Sequence, residues 1–124
     1  MAGKYRDLIA WQKAMDLAER VYAATGQWPR DERFGLTQQA RRAAVSVPAN
    51  IAEGHGRMGT RELLHHLSLA VGSLHEVETH LLLAERVRYL PPDHCAALLE
   101  QTSELGRILG GLMRSIQARG DDRR

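Results

Sequence analysis

The stretch that decides the fold is TRELLHHLSLAVGSLHEVETHLLLAERV, residues 60–87. Leu63, Leu67, Ala70, Leu74, Val77 and Leu81 recur there at steps of three and four, the spacing of an amphipathic helix. Leu64, Val71 and Leu82 form a second apolar stripe about 100° round the same wheel, so the apolar arc is wider than one partner helix needs. Thr60 reads as the cap that opens this helix, and Tyr89-Leu90-Pro91-Pro92 as its stop.

Working outward, three more periodic segments flank it. A first helix over about 7–25 opens with Asp7 as N-cap and places Leu8, Trp11, Met15, Ala18 and Tyr22 on one stripe, widened by Ala10, Ala14, Leu17 and Val21. Gly26 offers a stop, and Trp28-Pro29 forces an extended passage because proline disfavours helix in the residue before it. A second helix over about 32–55 aligns Leu36, Ala40, Ala43, Ala44, Val47 and Ile51. Pro48 falls inside it, removing an amide donor and crowding the carbonyl of Ala44, which predicts a kink or two shorter helices. Gly54, Gly56 and Gly59 close the segment and leave a basic connection through Arg57. The last helix, about 93–118, carries Leu98, Thr102, Leu105, Leu109, Leu112 and Ile116 in near-heptad order, and the tail 119–124 is expected to fray. Four amphipathic helices with short connections predict a single all-α domain over 1–124, an antiparallel up-and-down four-helix bundle.

Composition agrees. A chain of 124 residues is one domain by size, and 44% hydrophobic with 26% charged residues excludes wholesale disorder, collagen-like repetition and a disulfide scaffold. Cys95 is the single cysteine and has no internal disulfide partner. The longest run free of Asp, Glu, Lys and Arg, Leu63–His75, is thirteen residues, whereas a bilayer crossing needs about twenty. Met1–Lys13 lacks the apolar core of a secretory leader. The expectation is a cytoplasmic protein with no membrane partner.

Polar residues inside apolar arcs mark the candidate sites. Glu78 lies between the two stripes of the third helix, where a carboxylate needs a partner; Arg41 or Arg42 is the expected supplier of a buried or half-buried ion pair. Arg42, Ser46, Asn50, Glu53 and Arg57 follow one another at steps of three and four along the second helix. That stripe reads either as an ordinary solvated face or as a surface for a phosphate backbone or partner subunit. Arg supplies a planar fork for phosphate, and Asn can bond a base edge or sugar. Gly106 and Gly110 line up with Leu99, off the main stripe of the last helix, and suggest a face on which another subunit packs closely.

No catalytic set emerges. Glu62-Leu-Leu-His65 has the E-x-x-H spacing of di-iron bundles, which need two such pairs plus two further glutamates, and only one pair is present. Glu76 with His80, or Glu62 with His66, offers only two ligands for a surface ion. Nucleotide-binding glycine loops and a nucleophile elbow are missing, and Cys95 reads as a small core or boundary residue. The expectation is a non-enzyme without metal or cofactor.

Three blocks carry a resemblance: Tyr5-Arg-Asp-Leu-Ile-Ala-Trp-Gln-Lys-Ala14, the run from Gly35 to Gly54 with Arg-Arg-Ala-Ala-Val-Ser-Val-Pro-Ala-Asn-Ile-Ala-Glu-Gly at its end, and Leu69 to Thr79. Over about residues 5–116 the chain resembles the bacterial four-helix-bundle family encoded by intervening sequences within large-subunit ribosomal RNA genes. Trp28-Pro29 stands where that family often has Phe-Pro, and His55 replaces what is usually an aromatic residue. The resemblance implies a ring-shaped homopentamer. It also implies kinship with the accessory protein of diversity-generating retroelements, which looks like a basic barrel that binds nucleic acid and a reverse transcriptase. The formal net charge is only +2, yet residues 30–61 hold six basic against three acidic side chains. The expectation is therefore RNA or DNA binding through Arg42, Asn50, Arg57 and Arg61, with Arg41, Ser46, Glu53 and Glu78 in structural polar roles. Leu64, Val71, Leu82, Leu99, Gly106 and Gly110 are expected at the oligomer interface, and the alternative role is a scaffold that docks a partner enzyme such as a reverse transcriptase.

Overall fold

The computed structural model describes residues 4–57 and 59–122, with side chains through Gly120. Four helices carry the chain: α1 (Ile9–Thr25), α2 (Leu36–His55), α3 (Thr60–Arg86) and α4 (Pro92–Asp122), with short 3-10 turns at Tyr5–Asp7 and Arg30–Glu32. No strand occurs among the described residues. Each helix packs on its neighbour in sequence and α1 closes the square against α4, while the diagonal pairs stay apart among the described residues. Short connections between packed neighbours make the arrangement antiparallel, an up-and-down bundle.

The core is what the period demands. Leu17 and Val21 of α1, Val47 and Ile51 of α2, Leu67, Leu74, Val77 and Leu81 of α3, and Leu105 and Leu109 of α4 are all buried. Buried Ala14, Ala40, Ala44 and Ala70 let the helix backbones come close. The α2–α3 contact is the most extensive. Gly54 marks a tight approach within it, where a β-carbon would lie 2.7 Å from His66 Cβ.

Several sequence expectations are corrected. Asp7 is not the cap of α1, because residues 5–7 close their own 3-10 turn and the extended Leu8 precedes the helix. The buried face of α1 is Ala10, Ala14, Leu17, Ala18 and Val21, while Met15 and Tyr22 are 44% and 46% exposed. The stripe through Leu8, Trp11, Met15, Ala18 and Tyr22 is thus rotated off the centre, since the smaller side chains admit both α2 and α4. α2 begins at Leu36 and not near 32, because Arg30–Glu32 turns separately. Pro48 does not split α2, which runs unbroken to His55 with Pro48 buried. Gly59, at φ 99°, precedes α3, and Thr60 is its first residue with no capping side chain before it. α4 persists to Asp122, beyond the expected end at 118, and residues 123–124 lie outside the described residues.

One end of the bundle is tied across its two loops. Tyr89, in the α3–α4 connection, donates its hydroxyl to Glu32 Oε2 at 2.8 Å, and its ring lies 6.2 Å from that of buried Trp28. The other oxygen of Glu32 accepts the Leu36 amide at 3.1 Å, satisfying an orphan donor at the start of α2. The Leu36 amide and then the Tyr89 hydroxyl hold the Glu32 carboxyl below its ordinary value, and the same bond raises the Tyr89 hydroxyl above its own. Gly35 makes this reach possible, since a β-carbon there would sit 2.7 Å from Glu32 Oε1.

Candidate nucleic-acid interface

The tied loop presents two residues that periodicity passed over. Arg33 and Phe34 lie between the second 3-10 turn and α2, with the Arg33 guanidinium 4.9 Å from the Phe34 ring centre and Phe34 78% exposed. Across from them stand Tyr22 of α1 and Arg41 of α2. Arg41 Nε donates to Thr25 Oγ1 at 2.7 Å, its Nη2 donates to the Tyr22 carbonyl at 3.3 Å, and its guanidinium lies 4.5 Å from the Tyr22 ring centre. Thr25 Oγ1 in turn donates to the Val21 carbonyl at 2.8 Å, so the Arg41 head is held in one place. Arg42, the next residue, is exposed.

These side chains surround an open groove of about 520 Å³ lined by Tyr22, Arg33, Phe34, Arg41, Arg42 and Val45, with Thr37, Gln38 and Ser46 between them. The lining contains no carboxylate. Among the described residues no carboxylate oxygen comes within 4.0 Å of these three guanidinium groups. Arg42 also borders a smaller groove toward α3, where Glu76 is one of the walls. Arg heads without a carboxylate partner, beside exposed aromatic rings, form a surface suited to phosphate and to a planar base. Sequence reading missed Tyr22, Arg33 and Phe34. The available signal was the chain's single Phe, placed outside every apolar stripe between Arg33 and Gly35.

Of the other expected residues, Ser46 reaches the groove lining but is bonded across to α3, and the rest do not converge there. Ser46 Oγ meets Ser73 Oγ of α3 at 2.8 Å, and Asn50 Nδ2 donates to the Ser46 carbonyl at 2.9 Å and to its hydroxyl at 3.1 Å. Asn50 Oδ1 lies 3.4 Å from His66 Nδ1, and Glu53 Oε1 lies 3.9 Å from the same nitrogen. Arg57 donates to Glu53 Oε2 at 2.8 Å; that bond first, and nearby His66 second, lower the Glu53 carboxyl from its ordinary value. The stripe from Ser46 to Glu53 is therefore a polar seam between α2 and α3, with the Asn50 amide occupied by internal partners. His66 is buried against Gly54 and does not form the surface pair with Glu62 considered from sequence. Arg57 and Arg61 are exposed near the α2–α3 turn, beyond the end of α2, and the helix from Arg42 to its last residue, His55, already spans about 20 Å.

Glu78 is half-buried as expected, but its partner is not an arginine. Thr102 of α4 places its hydroxyl 2.6 Å from Glu78 Oε2, because Glu78 faces α4 while Arg41 points to α1. On that same side, Val71, Gly106 and Gly110 line an α3–α4 groove of about 540 Å³. Leu64 and Leu99 are half-buried against the core, and Leu82 is exposed. Cys95 is buried with Sγ 3.7 Å from the Leu81 carbonyl, and desolvation pushes its thiol up to about 11. No group of three or more potential ligands is placed to hold a metal ion, and no helix is long and apolar enough to cross a membrane, among the described residues.

Against known proteins, a family model described as 23S rRNA-intervening sequence protein matches residues 6–111. A solved structure from Bacteroides thetaiotaomicron, described as a protein with unknown function from the S23 ribosomal protein family, superposes with a TM-score of 0.80 at 20% identity. The alignment covers 86% of this chain and 96% of that one. Neither description carries an enzymatic name. No curated protein matches the chain.

Proposed function

This chain belongs to the 23S rRNA-intervening sequence protein family, and on that premise we propose that it is a non-enzymatic, homo-oligomeric bundle that binds nucleic acid, structured RNA foremost, in the cytoplasm. The observation that carries this reading is the groove at the start of α2, where Arg33, Arg41 and Arg42 gather with no carboxylate in the lining. Arg42 contacts phosphate there, and Arg57 and Arg61 extend the contact toward the opposite end of the bundle.

Assembly multiplies the effect. The α3–α4 groove at Val71, Gly106 and Gly110, with Leu64, Leu82 and Leu99 on neighbouring faces, supports packing between copies. In the homopentamer that the family resemblance implies, a formal +2 per chain becomes about +10 per particle, with the Arg grooves repeated around it. Binding that depends on such charge weakens steeply with salt. Titration of generic RNA and DNA against salt is the test, and no affinity at low ionic strength would refute the reading.

Exposed Leu69, Leu82 and Leu83 on α3, with Val87 just past its end, favour a second reading, a scaffold that docks a reverse transcriptase or another protein. Charge reversal at Arg42 and Arg57 separates the two, since a scaffold keeps its protein partner while nucleic-acid binding is lost.

A further inference from the structure

We infer that the groove beside Phe34 seats one unpaired base of an RNA strand, with the base stacked on the Phe34 ring and its flanking phosphates held by Arg33, Arg41 and Arg42. The inference rests on the nucleic-acid reading above and narrows it, from a charged surface that accepts any phosphate backbone to a site that selects single-stranded segments.

Phe34 is 78% exposed, although its turn is well fixed. The Arg33 amide donates to the Arg30 carbonyl at 3.1 Å, the Gly35 amide donates to the Glu32 carbonyl at 2.9 Å, and Glu32 holds the Leu36 amide. The backbone that carries the ring is therefore already ordered before a base stacks on it. The adjoining groove, about 520 Å³, falls within the roughly 300–1,000 Å³ usual for a small-molecule site. Its walls combine apolar Val45 with the Gln38 amide, which carries both donors and an acceptor for a base edge. Three guanidinium groups in the same lining match the phosphates on either side of that base. A continuous duplex keeps its bases stacked inside and offers no free ring face, whereas a loop or bulge does.

A second copy of the chain is a poorer occupant. Like grooves repel one another, and the α1–α4 groove of a facing copy mixes Glu100 and Glu104 with Arg20 and Arg107, offering no net negative surface. Polarity and charge together favour a strand.

The test uses the full chain and fluorescence anisotropy at low salt. The probes are a short labelled oligouridylate, a short oligoadenylate and a blunt RNA duplex of equal length, compared for the natural protein, Phe34→Ala and Phe34→Trp. Phe34 is exposed, so helical content by circular dichroism should be unchanged in both variants. The expected result is tighter binding of the single strands than of the duplex. Phe34→Ala should weaken the single strands roughly 5- to 150-fold, the range for loss of one base stack, and leave the duplex unaffected, while Phe34→Trp retains single-strand binding. Equal effects of Phe34→Ala on both forms, or no effect on either, would overturn the base seat and leave the basic-surface reading intact. Absence of binding to any probe would overturn both. A sedimentation shift in Phe34→Ala with unchanged RNA affinity would reassign the ring to a contact between copies, and competition by free uridine monophosphate as effective as by the strand would reassign the groove to a small nucleotide.

Discussion

Replacing Gly54 with alanine should destabilise the protein, whereas the same replacement at Gly72 should stabilise it. Both positions lie inside helices, where Gly→Ala is favourable by about 1 kcal/mol through propensity alone. They differ in what the new methyl group meets. At Gly72 nothing lies within 4 Å, so the propensity gain should appear nearly whole, at about 0.5–1 kcal/mol. At Gly54 the added carbon would sit 2.7 Å from His66 Cβ and 3.4 Å from both Leu63 Cδ1 and the Leu63 carbonyl oxygen. Favourable carbon–carbon contact begins near 3.5 Å, so α2 and α3 must part by roughly 1 Å. The first obstacle is a β-carbon of a helical residue, which no rotamer change removes, and parting the helices strains the Ser46–Ser73 and Asn50–His66 contacts. Because the 2.7 Å obstacle is a β-carbon, with two Leu63 atoms close behind it, the cost belongs at the upper end of the range usual for overpacking, about 2–3 kcal/mol, and the propensity gain leaves a net loss of about 1–2 kcal/mol. At about 3–4 °C per kcal/mol for a chain of this size, Tm should fall by about 3–8 °C in Gly54→Ala and rise by about 2–4 °C in Gly72→Ala. Thermal and urea unfolding followed by circular dichroism measure both. A Gly54→Ala variant as stable as the natural chain would refute the claim that the α2–α3 approach is tight there, and a less stable Gly72→Ala would show that the open face of α3 is covered in the assembled protein.

Removing the Asn50 amide with Asn50→Ala leaves Ser46 and His66 without their shared partner and should cost about 1–2 kcal/mol by urea unfolding, with RNA affinity unchanged because the amide faces the seam. Glu32, with its carboxyl lowered in the folded state, adds stability that is full above its ordinary value of 4.5 and is lost as pH falls through the folded value. Tyr89, with its hydroxyl raised, contributes below its ordinary value of 10.0 and loses that contribution as pH rises through its folded value. Unfolding free energy against pH should therefore show the natural chain's advantage over Glu32→Gln largest between those limits, and a flat difference would exclude the carboxylate's role. Cys95, buried and with its thiol near 11, should resist a thiol-reactive disulfide reagent at pH 8 in native buffer and react at once in denaturant.

Helix number, order and approximate length were legible because a 3.6-residue apolar period can be satisfied in water only by burying that face, and because Gly26, Gly56 and the Tyr89–Pro92 run interrupt it. Helix ends were less legible. Asp7 and Thr60 are good capping residues by type, yet a separate 3-10 turn displaced one and Gly59 took the place of the other. The candidate site was legible only in part. The excess of arginine around α2 can be counted from the sequence, but the line from Arg42 to Arg57 reads as one face on a wheel and divides in space into an open Arg groove, an internal polar seam and a distant turn.

By itself the sequence determined an all-α chain of four amphipathic helices, its family through the block ending at Gly54, and a basic segment at residues 30–61. Tertiary structure decided which side of α1 is inward, that Glu78 is bonded to Thr102 and not to an arginine, that His66 is buried beneath Gly54, and that Phe34 stands exposed beside three guanidinium groups. The reason is physical: periodicity encodes how one helix is polarised, whereas the partner of a polar side chain depends on which neighbouring backbone comes close. That approach is set by small residues such as Ala14, Ala40, Ala44 and Gly54 acting in pairs across helices, a condition that no single segment contains.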